Sequence, residues 1–187
     1  MGRHDEALHE AKLAQQVDPL SLLMNQTAGL VLCIARDYDR AIEELRKVID
    51  MDANFAAARS TLGLAYAQKG IADQAITEFQ KVATLAGGHP AVDSSIKGLI
   101  AYTYAVSGHP AQARKLLAEI SNQPATSSYL LATIHARLGE TDRAFEWLDR
   151  CYQERDLQLV SVKVDPGLDA LRSDARFQDL LARVGFA

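Results

Sequence analysis

The amino-acid sequence predicts an all-α fold, in which antiparallel helix pairs stack into an α-α superhelix and a C-terminal helix caps the stack. Three observations predict it. Apolar residues recur at the spacing of one helix face along most of the chain. A unit of two such helices recurs with a period of about 34 residues. Glycine, which ends a helix in the left-handed conformation at little cost, stands at most turns inside the units.

Each unit is marked by an alanine that follows its short turn. These alanines lie at steps of 34, 34, 38 and 31 residues: Ala7, Ala41, Ala75, Ala113 and Ala144. The turn position lies five residues before each one: Gly2, Arg36, Gly70, Gly108 and Gly139. Apolar residues four and seven places after each alanine complete one face of a helix. This helix is the second helix of each predicted unit.

The first helix of each unit carries a small residue followed three places later by a large one. The pairs are Gly29 with Leu32, Gly63 with Tyr66, Ala101 with Tyr104, and Ala132 with His135. A small side chain lets two helices approach closely, and the large one fills the space beside it. The pattern therefore predicts that the two helices of a unit pack against each other as an antiparallel pair.

The unit around residues 62–82 carries a known motif most fully. It has Leu62-Gly63-Leu64-Ala65-Tyr66, then Gly70, Ala75, Phe79 and Val82. In this it resembles the tetratricopeptide repeat. The opening Trp of that family is replaced by Asn25, Arg59, Lys97 and Ser128, and its closing Pro stands only at Pro19. The resemblance covers nearly the whole chain and implies a scaffold that binds a protein or peptide and catalyses nothing.

The units divide one predicted domain, 1–187, into consecutive segments. These are a partial repeat 1–19, repeats at about 20–53, 54–88, 89–122 and 123–155, and a capping region 156–187. Helices are predicted at about 4–17, 20–35, 38–51, 54–69, 72–86, 90–107, 110–120, 125–138 and 141–154, with a short one near 157–164 and a last one near 174–184. The 38-residue step adds about one helical turn. We place that turn at the start of the 90–107 helix, where Pro90 suits the first position.

The N-terminal edge of the predicted stack is expected to be adhesive. The apolar stripe of its first helix has no partner first helix in the sequence: Ala7, Leu8, Ala11, Ala14 and Val17. A stack of this kind normally ends in a polar capping repeat. Two explanations stay open. The chain is a fragment with repeats or another domain upstream, or it forms a homodimer through this edge.

The C-terminal tail predicts a helix that closes the stack. We expect Ser173 to be its N-cap, with Asp174 in the first turn. The helical spacing of four apolar residues predicts one buried face: Phe177, Leu180, Leu181 and Val184.

The tail is also similar to the end of many bacterial multidomain proteins, in which repeats follow a winged-helix, cyclase or kinase module. The matching residues are Asp165-Pro166, Asp169, Leu171 to Asp174, Arg176-Phe177, Leu180-Leu181 and Gly185. Ala170 and Ala175 replace two prolines of that pattern. The resemblance implies the C-terminal interaction region of a bacterial regulatory protein.

The family pattern places the partner-binding positions on the first helices, which line a concave groove. The candidate groove residues are Leu23, Gln26, Leu30, Ile34, Ser60, Leu64, Gln68, Tyr102, Tyr129, Thr133 and Arg137. The paired Lys and Asn with which relatives clamp a peptide carboxylate are missing, so hydrophobic anchors are predicted instead. Tyr102 and Tyr129 are the best anchor candidates, because aromatic residues dominate interface hot spots. The alternative, that they pack between helices, stays open.

Composition and motifs exclude several other functions. The net charge is −4 with acidic and basic residues interleaved, which is not the surface of a nucleic-acid-binding protein. No apolar stretch is long enough for a membrane span. Cys33 and Cys151 lie inside helical patterns and indicate a reducing compartment, so we expect a cytoplasmic protein. No catalytic motif, cofactor loop or metal-ligand spacing occurs, and His135 and Trp147 are interpreted as packing residues.

Overall fold

The structure is a computed structural model that describes residues 4–123 and 125–186. This part of the chain is all-α, with no strand, which confirms the predicted fold class. The α-helices are α1 His4–Val17, α2 Leu22–Ile34, α3 Tyr38–Met51, α4 Ala56–Gln68, α5 Ala72–Leu85, α6 Pro90–Val106, α7 Pro110–Ile120, α8 Ser128–Arg137, α9 Thr141–Glu154 and α10 Ala175–Val184. Two 3-10 helices, Leu157–Ser161 and Pro166–Leu171, lie between α9 and α10.

The predicted helices and turns agree with the structure over most of the chain. α6 begins at Pro90 and has 17 residues, so the additional turn lies where the 38-residue step predicts it. Gly70 has a φ of 75°, and Arg36, which stands at the equivalent turn, has a φ of 66°. The predicted turn residue Gly2 lies outside the described residues, as does Pro124 in the loop after α7.

The structure corrects two details of the predicted tail. The N-cap of α10 is Asp174 and not Ser173, because the Asp174 carboxylate accepts the hydrogen bond from the Arg176 N–H at 2.9 Å. Asp165 is the N-cap of the 3-10 helix Pro166–Leu171, which the sequence pattern did not predict.

The helices form two compact units, Met1–Val92 and Asp93–Ala187. In the first unit, α2 packs against α3 and α4 packs against α5. The small first-helix residues lie where these pairs meet. A Cβ atom on Gly63 would lie 2.5 Å from Phe79 Cε1, and one on Gly29 would lie 2.6 Å from Leu45 Cγ. Close approach therefore requires glycine at both positions.

Polar side chains link the two helices of three repeats from the position where the family has tryptophan. Arg59 of α4 donates to Glu78 of α5 at 2.6 Å, and both side chains are almost fully buried. In the second unit, Lys97 of α6 donates to Glu119 of α7 at 2.9 Å. Ser128 of α8 donates to Glu154 of α9 at 3.1 Å. A hydrogen bond or ion pair thus replaces the packing of a tryptophan ring.

The core of the second unit joins α8 and α9 to the C-terminal tail. Leu148 and Cys151 of α9 are fully buried together with Leu168 and Leu171 of the second 3-10 helix. The buried face of α10 consists of the predicted residues Phe177, Leu180 and Leu181, with Val184 partly buried beside them. The tail therefore closes the apolar faces of α8 and α9.

Candidate functional site

The groove positions of the first unit form a partly exposed apolar face on α2 and α4. Leu23 is 66% exposed and Leu30 is 39% exposed. Four further positions are half-buried: Ile34, Ser60, Leu64 and Gln68. We call these six residues the α2–α4 face.

Gln26 does not belong to this accessible face, although the family pattern places it there. Its side chain is 9% exposed, and its amide donates to Thr61 Oγ1 at 2.9 Å. Thr61 in turn donates to the carbonyl of Ala57. Gln26 therefore holds α2 against α4 and is not available to a partner.

In the second unit, the structure contradicts the predicted tyrosine anchors. Tyr102 is 4% exposed, Tyr129 is 6% exposed and Thr133 is 5% exposed. Only Arg137 of the predicted groove residues in this unit is half-buried. The prediction that Tyr102 and Tyr129 are accessible anchors is therefore wrong, and the alternative of packing between helices describes them.

Tyr129 and Thr133 are buried because the second 3-10 helix covers this side of α8. The Tyr129 hydroxyl donates to Asp165 Oδ2 at 2.9 Å, and the Gly167 N–H donates to Asp165 Oδ1 at 2.7 Å. A Cβ atom on Gly167 would lie 3.2 Å from Thr133. Burial raises the pKa of the Asp165 carboxyl and of the Tyr129 hydroxyl.

Arg172 fixes the backbone of the segment that covers α8. Its guanidinium donates to the carbonyls of Lys163 at 2.7 Å and Asp165 at 3.1 Å. It also donates to the Asp169 carboxylate at 2.8 Å. These hydrogen bonds bring the two ends of the segment together. In the sequence, the spacing of Leu168 and Leu171 indicates that this segment has an apolar side to bury.

Among the potentially reactive side chains, Cys151 and His135 are buried and Cys33 is half-buried. Burial raises the pKa of Cys33 and of Cys151 to about 12, so both thiols stay protonated at neutral pH. His135 is 3% exposed, and its Nδ1 lies 2.7 Å from Glu140 Oε2. No group of three or more His, Cys, Asp or Glu within 4–123 and 125–186 is arranged to hold a metal ion. Within the same residues, every helix is too short or too polar to span a bilayer.

The antiparallel helix pairs define the class of protein, an all-α helical-repeat protein. The family model described as tetratricopeptide repeat matches residues 28–90 and 99–157, which together are more than half of the chain. The chain belongs to this family, whose domains are generally protein–protein interaction modules.

The crystal structure of the P58(IPK) TPR domain is similar to this chain at 18% sequence identity, with a TM-score of 0.39. That match covers 97% of this chain and 67% of the other. No curated protein matches the sequence significantly.

Proposed function

We propose that this chain is a non-catalytic interaction module that binds a partner protein or peptide on the α2–α4 face. The observation that supports this most is the exposure of Leu23 and Leu30, at 66% and 39%, on α2, which is the first helix of its repeat. The equivalent side of α8 is covered by the chain's own tail, through the Tyr129–Asp165 hydrogen bond. A partner therefore has accessible apolar contacts in the first unit.

The composition of the α2–α4 face defines the chemistry of the partner segment. Leu23, Leu30, Ile34 and Leu64 offer aliphatic contacts, and the face has no charged side chain among its six residues. Such a surface suits an extended or helical segment with hydrophobic anchor residues. We expect an affinity on the order of 1–100 μM, because ordering the segment offsets part of the contact energy.

The test is a panning experiment with a display library of random peptides, using the full chain as bait. Peptides selected on the wild type should carry apolar anchors and should bind the double variant Leu23→Gln, Leu30→Gln at least tenfold more weakly. The matched control is Leu85→Gln on α5, which removes an equally exposed leucine (42%) outside the face. If the selected peptides bind the double variant and the wild type equally, the α2–α4 face is not the binding site.

The alternative is an assembly module that forms a homodimer through the N-terminal edge. Val17 is 82% exposed and Leu20 is 80% exposed, and Leu13 beside them is 41% exposed. Exposed apolar residues that lie together favour association.

We also propose that the chain acts in the cytoplasm as the C-terminal interaction region of a larger bacterial regulatory protein. The resemblance of the tail, which includes Asp165-Pro166, Arg176-Phe177 and Gly185, to the end of such proteins supports this. The reading frame upstream of Met1 tests it, since a regulatory module should be encoded there.

A further inference from the structure

We draw no further inference here: the strongest candidate, the groove between α7 and α9, is lined by Arg114 and Arg150, which already pair with Glu140 and Glu154, and nothing in the structure shows what covers it.

Discussion

At the scale of single residues, the most informative position is the one that the family motif gives to tryptophan. Arg59 occupies it in the second full repeat, and its guanidinium donates to Glu78 at 2.6 Å and to the Ala53 carbonyl at 2.7 Å. The two charged side chains are 10% and 11% exposed. Taking both out of water is costly, and their hydrogen bonds offset that cost only while both partners are present.

Removing one partner of this ion pair should therefore destabilise the fold strongly. We expect Arg59→Met to lower the free energy of unfolding by about 3 kcal/mol, because the buried Glu78 carboxylate loses its buried partner and keeps only the half-exposed Lys81. The double variant Arg59→Met, Glu78→Leu should recover to within about 1 kcal/mol of the wild type, since an apolar pair fills the site. Urea denaturation measures both values.

The control for this prediction is the exposed ion pair at the equivalent position of the next repeat. Lys97 and Glu119 are 45% and 41% exposed, so Lys97→Met should change stability by less than about 1 kcal/mol. Equal effects of Arg59→Met and Lys97→Met would mean that burial does not distinguish the two pairs.

Tyr129 shows what the sequence could predict about a residue and what it could not. The repeat register predicted that it lies on the first helix of its repeat, which is α8. Its burial depends on Asp165, which is 36 residues away in sequence and accepts the hydrogen bond from the Tyr129 hydroxyl. Periodicity assigns a residue to a side of a helix, but it carries no information on which distant segment covers that side.

At the scale of helices, the repeat pattern predicted the antiparallel pairs because their packing depends on local spacing. Gly63 of α4 and Phe79 of α5 illustrate this. The glycine leaves room for the ring, and a Cβ atom there would lie 2.5 Å from Phe79 Cε1. Both residues belong to one repeat, so a single unit of sequence contained the contact.

Gly63→Ala should therefore destabilise the protein, although alanine normally favours a helix over glycine by about 1 kcal/mol. We expect a loss of about 1–3 kcal/mol in the free energy of unfolding, because the ring of Phe79 has to move in a packed core. Thermal and urea unfolding both measure it. A variant more stable than the wild type would show that α4 and α5 lie farther apart.

The comparison for Gly63→Ala is Gly70→Ala, at a turn with a φ of 75° and no atom within 4 Å of the added Cβ. Its cost comes from the backbone conformation alone and should be about 1–2 kcal/mol.

The first residue of α10 was harder to predict than the helix pairs. Ser173 and Asp174 are both good capping residues, and only the observed hydrogen bond to Arg176 decides between them.

At the scale of the whole molecule, the exposed apolar residues of α1 and the loop after it allow a direct test of self-association. If the N-terminal edge forms a homodimer, the apparent mass by light scattering should rise with protein concentration. Val17→Glu with Leu20→Glu should then abolish the rise, because two charges would be buried at the contact. Leu157→Glu, at an 83% exposed residue of the first 3-10 helix, should leave it unchanged. Monomers at every concentration would exclude the dimer.

The fold class followed from the sequence because a repeat protein is built from neighbour-to-neighbour contacts. The groove between α7 and α9 could not be predicted from the sequence. Arg114 of α7 and Arg143 and Trp147 of α9 belong to different repeats and meet in one cavity only after the helices pack. Each alone has the pattern of an ordinary surface or packing residue.

The segment Asp165–Leu171 changes how many docking positions this array has. In a repeat array, each first helix ordinarily presents one such position to a ligand. On α8 that position is already taken, because Asp165 and Gly167 lie against Tyr129 and Thr133. This side of α8 is therefore closed to a ligand, and a count of repeat motifs in the sequence overstates the number of open docking positions.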